Sequence, residues 1–233
     1  SAFIAFPLAG FTTKWYGQML GDSAMQTALW NSVKVGAVVA LASTALGLLA
    51  AKALTRYRLP GGGAILGFTS LPLFIPDIVL GISLLILLNT VGMQLSLISV
   101  MLGHILICAP FAITVLMSRF DGFDKSLEEA SLDLGENAWT TFWRVTFPLV
   151  LPGIISSLLL TFIVSFDEFL IAYFLAGTEA TLPIYIWGQL RFPYKLPVVL
   201  ALGAVILVVS CVLVVLAEWM RGLGQGGKRM VGA

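Results

Sequence analysis

Three carboxylates stand in apolar surroundings: Asp77, Asp167 and Glu168. Ionised side chains at membrane depth are costly, so they normally face a bundle interior or a water path, where they attract cations. Asp77 follows Pro76, where a kinked helix can turn backbone carbonyls toward a cavity. Asp167 and Glu168 are neighbours that point in different directions on a helix, so at most one faces such a path. Ser165 adds a hydroxyl. Tyr173, Tyr185 and Trp187 add aromatic faces on which an amine can stack, although the Trp/Tyr set at 185–194 also reads as an interfacial belt. His104 is the chain's one histidine. Without partner ligands it reads as an interhelical hydrogen-bonding residue rather than a metal ligand or proton relay. No metal-ligand motif and no nucleophile–base constellation accompanies it, which argues against a membrane-embedded enzyme and against a bound metal.

Residues 222–228 match the G-x-x-x-x-G-K part of a phosphate-binding loop. Arg229, however, stands where magnesium would need Ser or Thr, and no strand precedes the motif. This segment, part of a tail at 220–233, reads as a basic tail. The chain itself is expected to bind no cofactor.

The elements that must hold these residues follow from composition. Of 233 residues, 59% are hydrophobic and 11% are charged, and the mean hydropathy is +1.00. Soluble domains carry about 25% charged residues, so the chain belongs in a lipid bilayer. Its net charge of +1 gives no case for nucleic-acid binding. Cys108 and Cys211 lie in apolar runs and read as buried small hydrophobes. Spanning helices need about 20 apolar residues. Five such stretches run at 32–53, 64–88, 97–117, 149–172 and 197–219. The predicted class is all-α, a polytopic membrane helix bundle, because lipid leaves backbone groups no other partners. Residues 11–29, with Trp15 and Tyr16, read as interfacial, and residues 3–9 as a remnant of a further helix. Gly36, Gly47, Gly81 and Gly103 are expected to let helices approach closely.

Lys and Arg set the orientation. Nine of them fall on one side of the five spans and four on the other, which puts the segment 119–148 in the cytoplasm. That segment holds nine of the chain's 25 charged residues. Ser126 and Glu129 have capping-box spacing. Leu127, Ala130 and Leu134 make one apolar stripe, with Glu128, Asp133 and Glu136 off it. Gly135 stands at a helix C-terminal position, Asn137 can cap a second short helix, and Pro148 marks the start of the next span. Two short helices joined at a glycine form a knob suited to a groove on a soluble partner.

The order Glu129-Ala130-Ser131, three residues, Gly135, nine residues, then Val145-Thr146-Phe147-Pro148 resembles the EAA loop of ABC importer permeases. Ser131, Val145 and Phe147 are conservative departures, and the spacing is intact. The resemblance covers about residues 11–221. It implies a single type I importer transmembrane domain of six helices in a bacterial cytoplasmic (inner) membrane. It also implies that Glu128, Glu129, Ala130, Ser131, Leu134 and Gly135 couple to an ATPase. ATP and magnesium would then sit on the partner, in two ATPase copies. A second, similar but nonidentical permease and a periplasmic or extracellular substrate-binding protein complete the implied assembly.

Residues 71–81 (L-P-L-F-I-P-D-I-V-L-G), the run from His104 to Phe111 and Ser165-Phe166-Asp167-Glu168 resemble the polyamine branch of that family. Carriers of opines, thiamine, phosphonates or ferric iron share much of this vocabulary. A secondary transporter or channel would also use buried acids, but it leaves the EAA spacing unexplained.

Overall fold

The computed structural model describes residues 12–57 and 59–222. Every regular element among them is helical. In chain order these are α1 (Lys14–Leu20), α2 (Ser23–Arg56), α3 (Gly62–Ser70), a 3-10 turn (Leu71–Phe74), α4 (Asp77–Thr90) and α5 (Leu97–Phe120). There follow α6 (Ser126–Asp133), α7 (Ala138–Thr141), a π turn (Phe142–Thr146), α8 (Phe147–Asp167) and α9 (Leu170–Leu175). The last elements are α10 (Leu182–Gln189), a 3-10 turn (Pro193–Lys195) and α11 (Leu196–Gly222). The proposed helix remnant at 3–9 lies outside the described residues, as does the glycine-rich motif beyond Gly222.

Four helical runs are long and apolar enough to cross a membrane: Ser23–Arg56, Leu97–Phe120, Ala138–Asp167 and Pro193–Met220. Three expected spans need correction. The stretch 64–88 is not one helix: it breaks between Phe74 and Asp77. Pro76 precedes Asp77 there in an extended conformation and supplies no N–H to continue a ladder. The span expected to begin at 32 begins at Ser23, because Asp22 Oδ1 accepts the Met25 N–H at 3.1 Å and starts the helix early. The expected 149–172 runs instead from Ala138 to Asp167. It passes without interruption through the π turn, where Phe147 N–H reaches the Phe142 carbonyl. That widened turn accommodates Pro148, whose ring would crowd an ordinary α turn.

The chain forms two compact units. In sequence, the first takes Ser1–Val38, Ile75–His104 and Ile163–Val212; the second takes Val39–Phe74, Ile105–Phe162 and Leu213–Ala233. The first is centred on Met19, Met25, Ala28, Leu182 and Leu202, with Phe166 and Tyr185 against them. Within it α4 packs on α9. A Cβ on Gly81 would lie 2.8 Å from Phe174, and one on Gly103 would lie 2.7 Å from Ile171. The second is centred on Ala51, Leu116, Phe120 and Val150. There the Thr44 and Ser157 hydroxyls share a hydrogen bond of 3.0 Å. Cys108 Sγ reaches the Thr161 carbonyl at 3.7 Å, and Cys108 is buried as expected. Cys211 is exposed, against the expectation of burial. An apolar run in a bilayer protein can satisfy itself against lipid and need not turn inward.

Gly47 marks the tightest approach in the second unit. A Cβ there would meet Ala112 Cβ at 2.7 Å and its backbone carbon at 2.9 Å, and the backbone cannot rotate away. Gly47→Val is expected to cost about 1–3 kcal/mol through overpacking and to lower the thermal unfolding midpoint in detergent. Gly63→Ala, where a Cβ meets nothing within 4 Å, should not lower it. Equal midpoints for both variants would contradict the close packing.

Candidate functional site

The segment between α5 and α8 is held by local chemistry that its residue types supply. Asp124 Oδ1 accepts the Ser126 N–H at 2.9 Å, and this bond holds the Asp124 carboxyl below its usual range. The predicted capping box does not form. Ser126 is already the first residue of α6, and Glu129 pairs with Lys125 at 3.0 Å in an exposed i,i+4 contact of small energetic value. At the other end Gly135 adopts φ 90°. Gly135 N–H donates to the Leu132 carbonyl at 2.9 Å, and Glu136 N–H to the Ser131 carbonyl at 3.2 Å. These two bonds form a Schellman closure, which needs a left-handed residue at that position. Asn137 Oδ1 then accepts from Trp139 N–H at 3.0 Å and Thr140 N–H at 2.9 Å, capping α7.

The orientation of α6 is the informative result. Glu128 is its buried residue. One carboxylate oxygen lies 2.6 Å from Arg56 Nε, a close approach of charges rather than a linear hydrogen bond. The other accepts from the buried Thr146 hydroxyl. Both side chains are almost covered, Arg56 at 10% and Glu128 at 12% exposure. Arg56 also donates to the Phe120 carbonyl at 3.1 Å, and its guanidinium lies 4.3 Å from the Phe123 ring centroid. Ser131 bonds Thr141 at 3.0 Å. Glu128 and Ser131 therefore face inward, while Glu129 and Asp133 stay exposed. Leu127 is exposed, and Leu134 is 87% exposed. Leu132, Trp139 and Trp143 are exposed too, so the segment presents a run of large apolar side chains. Glu136 pairs with Arg144 at 2.5 Å on the surface.

The candidate path residues fall into separate groups. Ser165 and Glu168 meet at His104. His104 Nδ1 lies 2.8 Å from Ser165 Oγ, and Nε2 lies 3.2 Å from Glu168 Oε2. Glu168 also accepts the N–H groups of Ile171 and Ala172, each at 3.0 Å. It caps α9 at the break after α8, so its oxygens are committed to the fold. Asp167, the last residue of α8, is exposed and lines a cavity of about 520 Å³ with Phe166, Phe169, Trp187 and Ser210. The Trp187 and Phe169 rings meet at a tilt, 5.5 Å between centroids. Tyr173 lines a different cavity, with Leu85 and Phe174. Tyr185 lines a third, with Asp22, Gln189 and Lys195. Asp77 is exposed in the first turn of α4, where the helix dipole favours a carboxylate, and it joins none of these groups. Arg56, Thr146 and Asp22 were not singled out from the sequence. Arg56 and Asp22 bond to residues far along the chain, and Thr146 bonds across the loop to Glu128, pairings that no local spacing reports.

With this geometry in hand, the sequence comparisons define the class. Residues 43–221 match the family described as binding-protein-dependent transport system inner membrane component. The chain belongs to that family: it is a multi-pass inner-membrane permease subunit of the ABC transporter type. Among its relatives is the spermidine/putrescine transport system permease protein PotC of Shigella flexneri, 33% identical over 94% of this chain and 84% of that protein. The putrescine transport system permease protein PotI of Escherichia coli (strain K12) is 35% identical over 85% of this chain and 73% of that protein. The fold is shared with the MetNI methionine ABC transporter in an inward-facing conformation, with TM-score 0.69 and 15% identity over 92% of this chain and 99% of that one. A bacterial alginate ABC transporter in complex with its periplasmic protein gives TM-score 0.67 at 16% identity, over 92% of this chain and 84% of that one.

One electrostatic feature lies outside the spans. The Tyr185 hydroxyl donates to Asp22 Oδ2 at 2.7 Å. This bond, with the Met25 and Ala24 N–H groups, holds the Asp22 carboxyl below its usual value. Burial, and then the Asp22 bond, raises the Tyr185 phenol. A carboxyl depressed on folding stabilises the fold above its unfolded value of about 3.9, and that contribution disappears as pH falls through the lower folded value. Stability should therefore fall on acidification below about pH 4, and Asp22→Asn should flatten that limb in thermal melts taken at stepped pH. An unchanged limb in the variant would contradict the assignment.

Proposed function

We propose that this chain forms half of the translocation path of an ATP-driven importer and docks on a partner ATPase through residues 126–146. The observation that carries the docking reading is the orientation of α6. Its carboxylate is buried against Arg56 while Leu127, Leu132, Leu134 and Trp139 stand exposed. Exposing large apolar groups on the cytoplasmic side is unfavourable unless something covers them. A helix presenting its apolar face to a groove is a recurrent way to be covered. The distribution of Lys and Arg supports the cytoplasmic placement. ATP and magnesium belong to two ATPase copies, and this chain supplies no catalytic residue. A second, nonidentical permease closes the path, and an external binding protein delivers substrate.

The substrate reading is a polyamine or similar small cation. The names of the two permease relatives support it. So does the cavity at Asp167, where one carboxylate stands among Phe166, Phe169 and Trp187. A primary ammonium group would pair with the carboxylate, and its methylene chain would lie along the aromatic walls.

Co-purification of the ATPase with the tagged permease pair tests the docking reading. Leu134→Asp and Leu127→Asp place a charge in the covered face. Each should reduce the ATPase recovered at least about tenfold, the loss typical of an anchoring residue. Recovery at the wild-type ratio with both variants would overturn it.

A further inference from the structure

We infer that Arg56 is the positioning residue of the docking knob, welding the ends of two spans to α6 so that a push on the knob moves those spans. This rests on the docking reading above and adds the joint that makes docking useful. Three helix ends meet at one guanidinium. Arg56 is the last residue of α2, where a cation suits the dipole. It donates to the carbonyl of Phe120, the last residue of α5, one of the acceptors that a helix end leaves unpaired. It also holds Glu128 in the first turn of α6. Glu128 extends the joint to Thr146 at the end of the π turn, where α8 begins. The Phe120 and Phe123 rings lie beside the guanidinium, 5.4 Å and 4.3 Å from it, and restrict its rotation.

The chemistry of the joint sets its role apart from ordinary packing. An apolar pair could hold a loop as firmly as a buried ion pair does. What the guanidinium adds is two roles at once: one N–H directed at the Phe120 carbonyl and a charge held against Glu128. Lysine, a point charge, cannot address the Phe120 carbonyl and Glu128 in the same way. The exposed leucines of α6 leave little apolar contact to keep the knob in register once the pair is lost. A displaced knob would then yield locally instead of dragging α2 and α5.

The test reconstitutes the chain with its second permease, ATPase and binding protein in vesicles, with putrescine as the probe. Hydrolysis and uptake are measured together. Glu128→Gln, nearly isosteric, should raise the ATP hydrolysed per putrescine at least about tenfold, and Arg56→Lys should fall between it and wild type. A merely structural defect lowers hydrolysis and uptake in proportion and leaves the ratio unmoved, so an unchanged ratio in Glu128→Gln overturns the inference. A second measurement needs no ATPase and separates this inference from the docking reading. Spin labels at positions 49 and 133 of the detergent-solubilised permease pair should give a narrow distance distribution in the wild-type background and a broad one with Glu128→Gln. Equal widths overturn the inference, whatever the ATPase does.

Discussion

A carboxylate taken out of water must find a cation and hydrogen-bond donors, or the fold pays several kcal/mol for it. Glu128 meets that demand with Arg56 and Thr146, and much of the architecture between α5 and α8 follows. Burying Glu128 fixes the rotation of α6 about its axis. That rotation turns Leu127 and Leu134 outward. The Schellman turn at Gly135 and the Asn137 cap then set the direction in which the chain re-enters the long helix from Ala138 to Asp167. Had a leucine stood at position 128, α6 could turn its apolar stripe inward.

The same rule operates at the other end of the long helix. Glu168 is placed between α8 and α9, and its oxygens go to two backbone N–H groups and to His104. It is a fastening of the break, while its neighbour Asp167 is left to face a cavity. Two adjacent carboxylates thus take different roles because a helix end turns them toward different neighbours. Membrane embedding reverses the usual inference from apolar sequence to burial. On α11, Val208 and Val215 are apolar and exposed. Lipid satisfies such surface without cost.

Much of this was legible in the sequence. Hydropathy revealed the spans because lipid demands continuous apolar helix, and Gly135 and Asn137 announced their turn and cap because few residues serve there. The EAA spacing named the family. The boundaries were less legible. Asp22 begins α2 well before hydropathy alone would, and the π turn at Phe142–Thr146 lets helix continue through a segment bounded by Pro148. Pairings across long separations could not be read at all. Arg56 served only as one of nine charges in an orientation count, though it is the partner of Glu128 on a distant part of the chain. Ser126 and Glu129 satisfied a capping pattern, but Asp124 took the first N–H instead, since a nearby carboxylate competes directly for it.

The central claim is that the exposed face of α6 and α7 is an interface and not a solvated surface. Hydrogen–deuterium exchange on the permease pair, alone and with its ATPase bound, measures this directly. Amides from 127 to 146 should slow markedly on ATPase binding, while those of α10 keep their rates. Unchanged exchange across 127–146 in a complex shown to contain the ATPase would contradict the account.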